Sequence, residues 1–258
     1  MPAPGVWLTF ILMSWISPFR RGREKLNQEG LIPLPRVSHD GAVSVERAIT
    51  GRRSTRHFSD EPATVNELSQ LLWAGQGVTQ VTEEPAPVSR DRQRMGGSRT
   101  APSAGALFPL ELYVVVGTAE GIEPGVYHYI PQEHGLEQIT DGDLRKPIWD
   151  LALQQDAIRT APMAILIAAV FDRTEAKYGE RAERYVHVEV GAAAENISLQ
   201  AGSLGLGTVL IGAFQDEAVR QVLNLPNDHD VLGIIPIGHP LPHQRDIRSD
   251  IGSKEIGA

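Results

Sequence analysis

Residues 181–206, RAERYVHVEVGAAAENISLQAGSLGL, form the longest helical stretch in the sequence, and the fold is read outward from them. The centre of this stretch is dense in glycine, alanine and serine. Small side chains let two backbones approach closely, so the helix is expected to pack against another helix, in the core or across a dimer. Just upstream, Ala164–Val170 (AILIAAV) is a continuous apolar run of strand length, the pattern of a strand buried on both faces. Downstream, Val231–Gly238 (VLGIIPIG) reads as the last strand. Further out, the β-branched run Leu110–Val116 predicts a strand, and Gly125–Ile130 with Leu136–Ile139 predicts a hairpin across a polar turn. Residues 143–158 read as helical.

Toward the N-terminus, Val65, Leu68, Leu71 and Leu72 recur at helical spacing, which predicts a helix capped by Ser59 or Asp60 and running through Trp73. Ser44 caps a shorter helix that ends near Gly51. Pro33 and Pro35 keep LIPLP (31–35) extended, as an arm. Residues 79–100 show no apolar periodicity and read as a loop carrying Arg90, Arg92, Arg94 and Arg99. Strands alternate with helices, but some connections are hairpins. The expected class is therefore α+β, a three-layer sandwich with a central mixed sheet flanked by helices.

The chain has 258 residues, enough for one large domain or two small ones. Cysteine is absent, which excludes disulfides, thiolate nucleophiles and Cys-ligated metals, so any redox chemistry must come from a cofactor. A net charge of -8 argues against nucleic acid or an anionic membrane as a global partner. The apolar run Val6–Ile16 is too short to span a bilayer, and its positive charge follows the apolar core where a secretory signal would carry it in front. Residues 1–29 are expected to be a flexible extension. Residues 30–258, with the 79–100 loop, are expected to be a single domain of a cytoplasmic protein with no membrane span.

Three constellations could carry chemistry. Arg52, Arg53, Ser54, Thr55 and Arg56 place three guanidiniums and two hydroxyls within five residues, either a phosphate cradle or a solvated basic turn. Pro102-Ser103-Ala104-Gly105-Ala106 and the stretch 202–213 (GSLGLGTVLIGA) put small residues where backbone comes close to a flat partner, or where a turn or helix end needs them. Lys177-Tyr178 follows the buried strand and precedes the long helix. It is either a charged helix start or a site for a lysine base. The histidines show no metal-ligand spacing, so no metal is expected.

Together, RRSTRHF (52–58), LLWAGQGVT (71–79), RTAPSAGALFPLELYVV (99–115), PGVYHYIPQEHGLE (124–137), residues 177–214 and PIGHP (236–240) closely resemble the nitroreductase superfamily, and within it the SagB/ThcOx branch of azoline dehydrogenases. The resemblance implies a nitroreductase-like sandwich in a domain-swapped-style homodimer with FMN at the subunit interface. It assigns Arg52, Arg53, Ser54 and Arg56 to the FMN phosphate and ribityl chain, with Arg245 as a second phosphate ligand. Pro102, Ser103 and Ala104 would reach the isoalloxazine from the partner subunit, and Leu210, Ile211, Gly212 and Ala213 would line its N5 edge. Lys177 and Tyr178 would be the catalytic pair, one taking a proton from an azoline ring while FMN takes a hydride. The implied substrate is a modified peptide or a small heterocycle, with a cyclodehydratase as possible partner. Two other functions are open: an NAD(P)H-dependent nitro or quinone reductase, and a non-catalytic flavin-binding partner of a biosynthetic complex.

Overall fold

Near-continuous apolar runs in the central strands, buried on both faces, build the molecule. In the computed structural model, which describes residues 30–81 and 97–241, eleven strands and seven helices appear in chain order. The strands are β1 Leu31–Pro33, β2 Ala63–Thr64, β3 Val78–Val81, β4 Gly97–Arg99, β5 Leu110–Val116, β6 Ala119–Glu120, β7 Gly125–Ile130, β8 Gly135–Asp141, β9 Met163–Ala169, β10 Gly207–Thr208 and β11 Asp230–Gly238. The helices are α1 Val45–Gly51, α2 Val65–Gln76, α3 Arg145–Leu151, α4 Asp156–Thr160, α5 Asp172–Tyr178, α6 Ala182–Ser203 and α7 Asp216–Val222.

Seven strands form one sheet in the order β1-β8-β7-β5-β9-β11-β10. Strand β9 lies near its centre, and all seven of its residues are buried because both faces are covered. On one face, Leu110, Leu112, Val114 and Val116 of β5 pack with Leu68, Leu71 and Leu72 of α2 and with Val186, Ala193 and Ile197 of α6. On the other, Tyr113 and Val115 meet Ile148, Ile158 and Val219 beneath α3, α4 and α7. These are the three layers expected. Every ladder within the large sheet is antiparallel; parallel pairing is confined to the short β2–β6 pair and to a bridge from Ser54 to Thr208 at the sheet edge. Among the described residues, no helix is long and apolar enough to cross a membrane.

Helix α1 starts as expected, with the Ser44 side chain accepting from the Arg47 amide. Helix α2 starts later than the spacing predicted. Thr64 and Glu67 form a full capping box, while Ser59 is used elsewhere, its amide donating to the His239 carbonyl. The predicted loop 79–100 begins and ends in an antiparallel ribbon, β3 with β4, and Arg90, Arg92 and Arg94 lie outside the described residues. The predicted helix 143–158 is broken into α3 and α4 at Leu153 and Gln154, whose positive φ angles turn the chain. Residues 1–29 and Arg245 also lie outside the described residues.

Candidate functional site

The basic segment after α1 is placed by the edge of the sheet. Ser54 bridges Thr208 and the Thr55 amide donates to the Thr208 carbonyl at 2.8 Å, so residues 52–56 run alongside β10. Gly207 makes this approach possible, because a Cβ there would stand 2.5 Å from Thr55 Oγ1. Thr55 is buried by the packing, whereas Arg53, Ser54 and Arg56 face outward. Arg52 Nε lies 3.4 Å from Glu195 on α6, and Arg53 donates to the carbonyls of Thr50 and Arg52. Arg56 has no hydrogen-bond or ion-pair partner among the described residues. Two residues beyond β10, Leu210 is exposed, as are Gly212 and Ala213, while Ile211 is turned inward by its bridge to Ile234. The structure therefore brings the basic segment and the 210–213 segment to one edge of the sheet.

A second cluster forms where α5 meets α6. Gly105 has φ 63°, and a Cβ on it would lie 2.7 Å from Lys177 Nζ and 2.8 Å from the Tyr178 hydroxyl. These distances allow no more than about 5.5 Å between the two polar atoms, so the pair converges on the turn that the Pro102–Ala106 motif predicted. Lys177 Nζ also sits 5.3 Å from the centroid of the Tyr178 ring, and Tyr185 meets that ring edge-on at 5.0 Å. Helix α5 is tied down one turn before Lys177. Arg173 pairs with Glu111 at 2.5 Å and donates to the carbonyls of Phe108 and Pro109.

Glu189 joins this cluster from α6, a residue the motif reading did not single out. It is 4% exposed, and its carboxylate accepts the Ala104 amide at 2.7 Å. Burial pushes its pKa up, while the Ala104 amide, the Ser103 side chain and the attraction of Arg99 oppose the shift. Arg99 is itself held below its usual range by burial; it donates to Gln76 at 2.9 Å and lies over the Phe108 ring at 4.7 Å. Ser103 Oγ also accepts the Phe108 amide at 2.9 Å, so its hydroxyl is engaged within its own chain. The signal that could have found Glu189 is periodicity: a carboxylate three residues after Val186 and four before Ala193 lies on the apolar stripe of the helix. Asn196, seven residues on, donates to the Thr100 carbonyl from the same stripe.

The two clusters meet α6 at Glu195 and Glu189, about 9 Å apart along its axis and about 120° apart around it. Outward guanidiniums and a hydroxyl, beside exposed Leu210 and a Gly212 whose Cβ would meet nothing within 4 Å, suit a group with a phosphate at one end and a flat ring at the other.

The fold does not by itself name a chemistry, and similarity to known proteins supplies the family. Residues 49–239 match the nitroreductase family model, and the chain belongs to that family of flavin oxidoreductases. It is 40% identical over 210 residues to MJ1384 of Methanocaldococcus jannaschii, which is named as a nitroreductase, covering 81% of this chain and 96% of that protein. It is 26% identical over 132 residues to the microcin B17-processing protein McbC of Escherichia coli, about half of each chain. A crystal structure of a nitroreductase-type protein from Ralstonia eutropha superposes with a TM-score of 0.67 at 27% identity, covering 83% of this chain and 90% of that one.

Proposed function

We propose that the protein is an FMN-dependent dehydrogenase that oxidises azoline rings in peptides or related heterocycles. The convergence of Lys177 Nζ and the Tyr178 hydroxyl on Gly105 carries this reading, and the similarity to a microcin-processing protein supports it. Converting an azoline to an azole removes a proton from one ring carbon and a hydride from its neighbour. Lys177, in its amine form, takes the proton. Tyr178, beside it, donates a hydrogen bond to the ring heteroatom or passes the proton on. When bound, FMN supplies the two-electron acceptor.

Arg52, Arg53, Ser54 and Arg56 would hold the phosphate and ribityl chain, Arg56 having no partner among the described residues. Leu210, Ile211, Gly212 and Ala213 would form the lip beside the ring, and Arg245 would add a second phosphate contact. Pro102, Ser103 and Ala104 would approach from the partner subunit of a homodimer. The angular separation of the two clusters around α6 supports that arrangement, because a second copy brings the missing half to each site. A cytoplasmic location and a cyclodehydratase partner belong to the same reading.

Purified protein should be yellow, with flavin absorption bands. Lys177→Ala should keep the flavin and abolish azole formation on a thiazoline-containing peptide; undiminished turnover by that variant would reject the assignment. The match to MJ1384 over nearly its whole length favours a second reading, an NAD(P)H-dependent nitro or quinone reductase. Anaerobic mixing with NADPH separates the two, since rapid bleaching of the flavin band supports the reductase and a stable band supports the dehydrogenase.

A further inference from the structure

Glu189 is the buried charge that the proposed chemistry leaves unused. It sits inside the α6–sheet layer, where an unpartnered carboxylate would be strongly unfavourable. Its partners all belong to one short segment. The Ala104 amide donates to it at 2.7 Å, and Asn196 holds the Thr100 carbonyl from the same stripe of α6. Ser103 in turn accepts the Phe108 amide, closing the turn on itself. The next residue, Gly105, is the one against which Lys177 Nζ and the Tyr178 hydroxyl rest.

We infer that Glu189 is the positioning residue of the Lys177–Tyr178 pair: by holding the Ala104 amide it fixes the Gly105 backbone as the wall that sets where both polar groups stand. This inference rests on the proposed role of that pair. The arrangement has a physical reason. Lys177 is exposed and long, with several rotatable bonds, and the four residues of α5 back to the Arg173 anchor fix its Cα but not its Nζ. A rigid wall removes that freedom only if the wall is itself held. A three-residue turn with Gly105 in the left-handed region has little packing of its own to hold it. A carboxylate that accepts a backbone amide at 2.7 Å is a stiff anchor, because hydrogen bonds to ionised groups are stronger than neutral ones. Glutamine in its place keeps the shape and an acceptor but holds the Ala104 amide by a weaker, neutral hydrogen bond.

The test uses the full-length, flavin-loaded protein with Glu189→Gln and Glu189→Ala. The first readout needs no turnover. The chain has four lysines, and Lys146, paired with Asp150 on α3, is an internal reference. Labelling with trinitrobenzenesulfonate followed by peptide mass analysis gives the ratio of Lys177 to Lys146 modification. That ratio should rise at least about threefold in Glu189→Gln as the wall loosens, because a displacement near 1 Å already changes reactivity markedly. General loosening of the fold would instead lower the melting temperature, measured beside the labelling. The second readout is turnover of a thiazoline-containing peptide in air, where kcat should fall about tenfold or more with KM changed less than about twofold. Glu189→Asp, which keeps the charge, should recover part of the loss.

A wild-type ratio and a wild-type kcat in Glu189→Gln would overturn the inference, and that variant decides the matter if Glu189→Ala does not fold. A raised ratio in a protein whose wild type shows no azoline turnover would uphold the positioning role and reject the azoline reading, so the two fail separately.

Discussion

At the scale of single residues, the site is assembled by close approaches that only glycine permits. Gly207 lets Thr55 lie against β10, and Gly105 lets Lys177 and Tyr178 rest against a bare backbone. At Gly105 both reasons for glycine apply, a positive φ and no room for a Cβ. Gly105→Ala should cost only about 1–2 kcal/mol, mainly from the left-handed conformation, because the nearest atoms are the movable ends of two side chains. Those ends must move, so azole formation should fall about tenfold or more while the melting temperature drops by only about 2–8 °C. Thermal melts beside steady-state kinetics check this, and a variant that loses stability but keeps full turnover would show that the contact is idle.

At the scale of elements, the arm before α1 is tied to α2 and to the β7–β8 hairpin through one imidazole. His134 has its Nδ1 2.9 Å from the Tyr129 hydroxyl, and its Nε2 lies 2.8 Å from Ser69 Oγ and 3.1 Å from the Pro35 carbonyl. Ser69 donates to that same carbonyl at 2.6 Å, and the Gln70 amide clasps the amide and carbonyl of Ser38. A neutral ring, accepting at Nδ1 and donating at Nε2, satisfies every member. Burial lowers the His134 pKa below its ordinary 6.5, against a smaller opposing effect of the Pro35 carbonyl. The folded state therefore binds fewer protons than the unfolded chain just below pH 6.5. The clasp contributes fully above that pH, and its contribution is lost as the pH falls through the lowered folded value. Melting temperatures between pH 7.5 and 5 should fall less steeply in His134→Gln than in wild type; equal slopes would remove His134 from the pH response. The capping box of α2 shows a limit of sequence spacing. Ser59, Asp60 and Thr64 are all competent caps, and Thr64 is the one used because the backbone of Ser59 is bound to His239.

At the scale of the whole molecule, apolar side chains remain at the surface of α1, α6 and the segment after β10. Val45, Ile49 and Val188 are 67%, 58% and 66% exposed, with Leu210 at 47%. Helix α1 packs on α6, so most of this surface surrounds the helix that the two clusters share. In the homodimer proposed above, these side chains are covered by the second copy. Sedimentation should give twice the 28.1 kDa chain mass for wild type. Val188→Glu should shift the protein toward monomer and weaken flavin retention; a dimer unchanged in mass and flavin content would place the interface elsewhere.

The layers and most element positions were legible in the sequence, because burial on both faces writes β9 as AILIAAV and one-sided burial writes α2 as Val65, Leu68, Leu71 and Leu72. Motif resemblance marked Arg52–Arg56, Pro102–Ala106 and Lys177-Tyr178 as segments of interest. What the linear order did not contain was which of these meet. Contacts between residues as distant as Gly105 and Lys177, or Ala104 and Glu189, depend on how α5 and α6 lie across the sheet. Glu189 itself looked like one more charge on a helix. Its spacing from Val186 and Ala193 puts it on the apolar stripe, but only the packed structure shows the Ala104 amide that makes its burial tolerable, because the identity of a charged side chain says nothing about its partner.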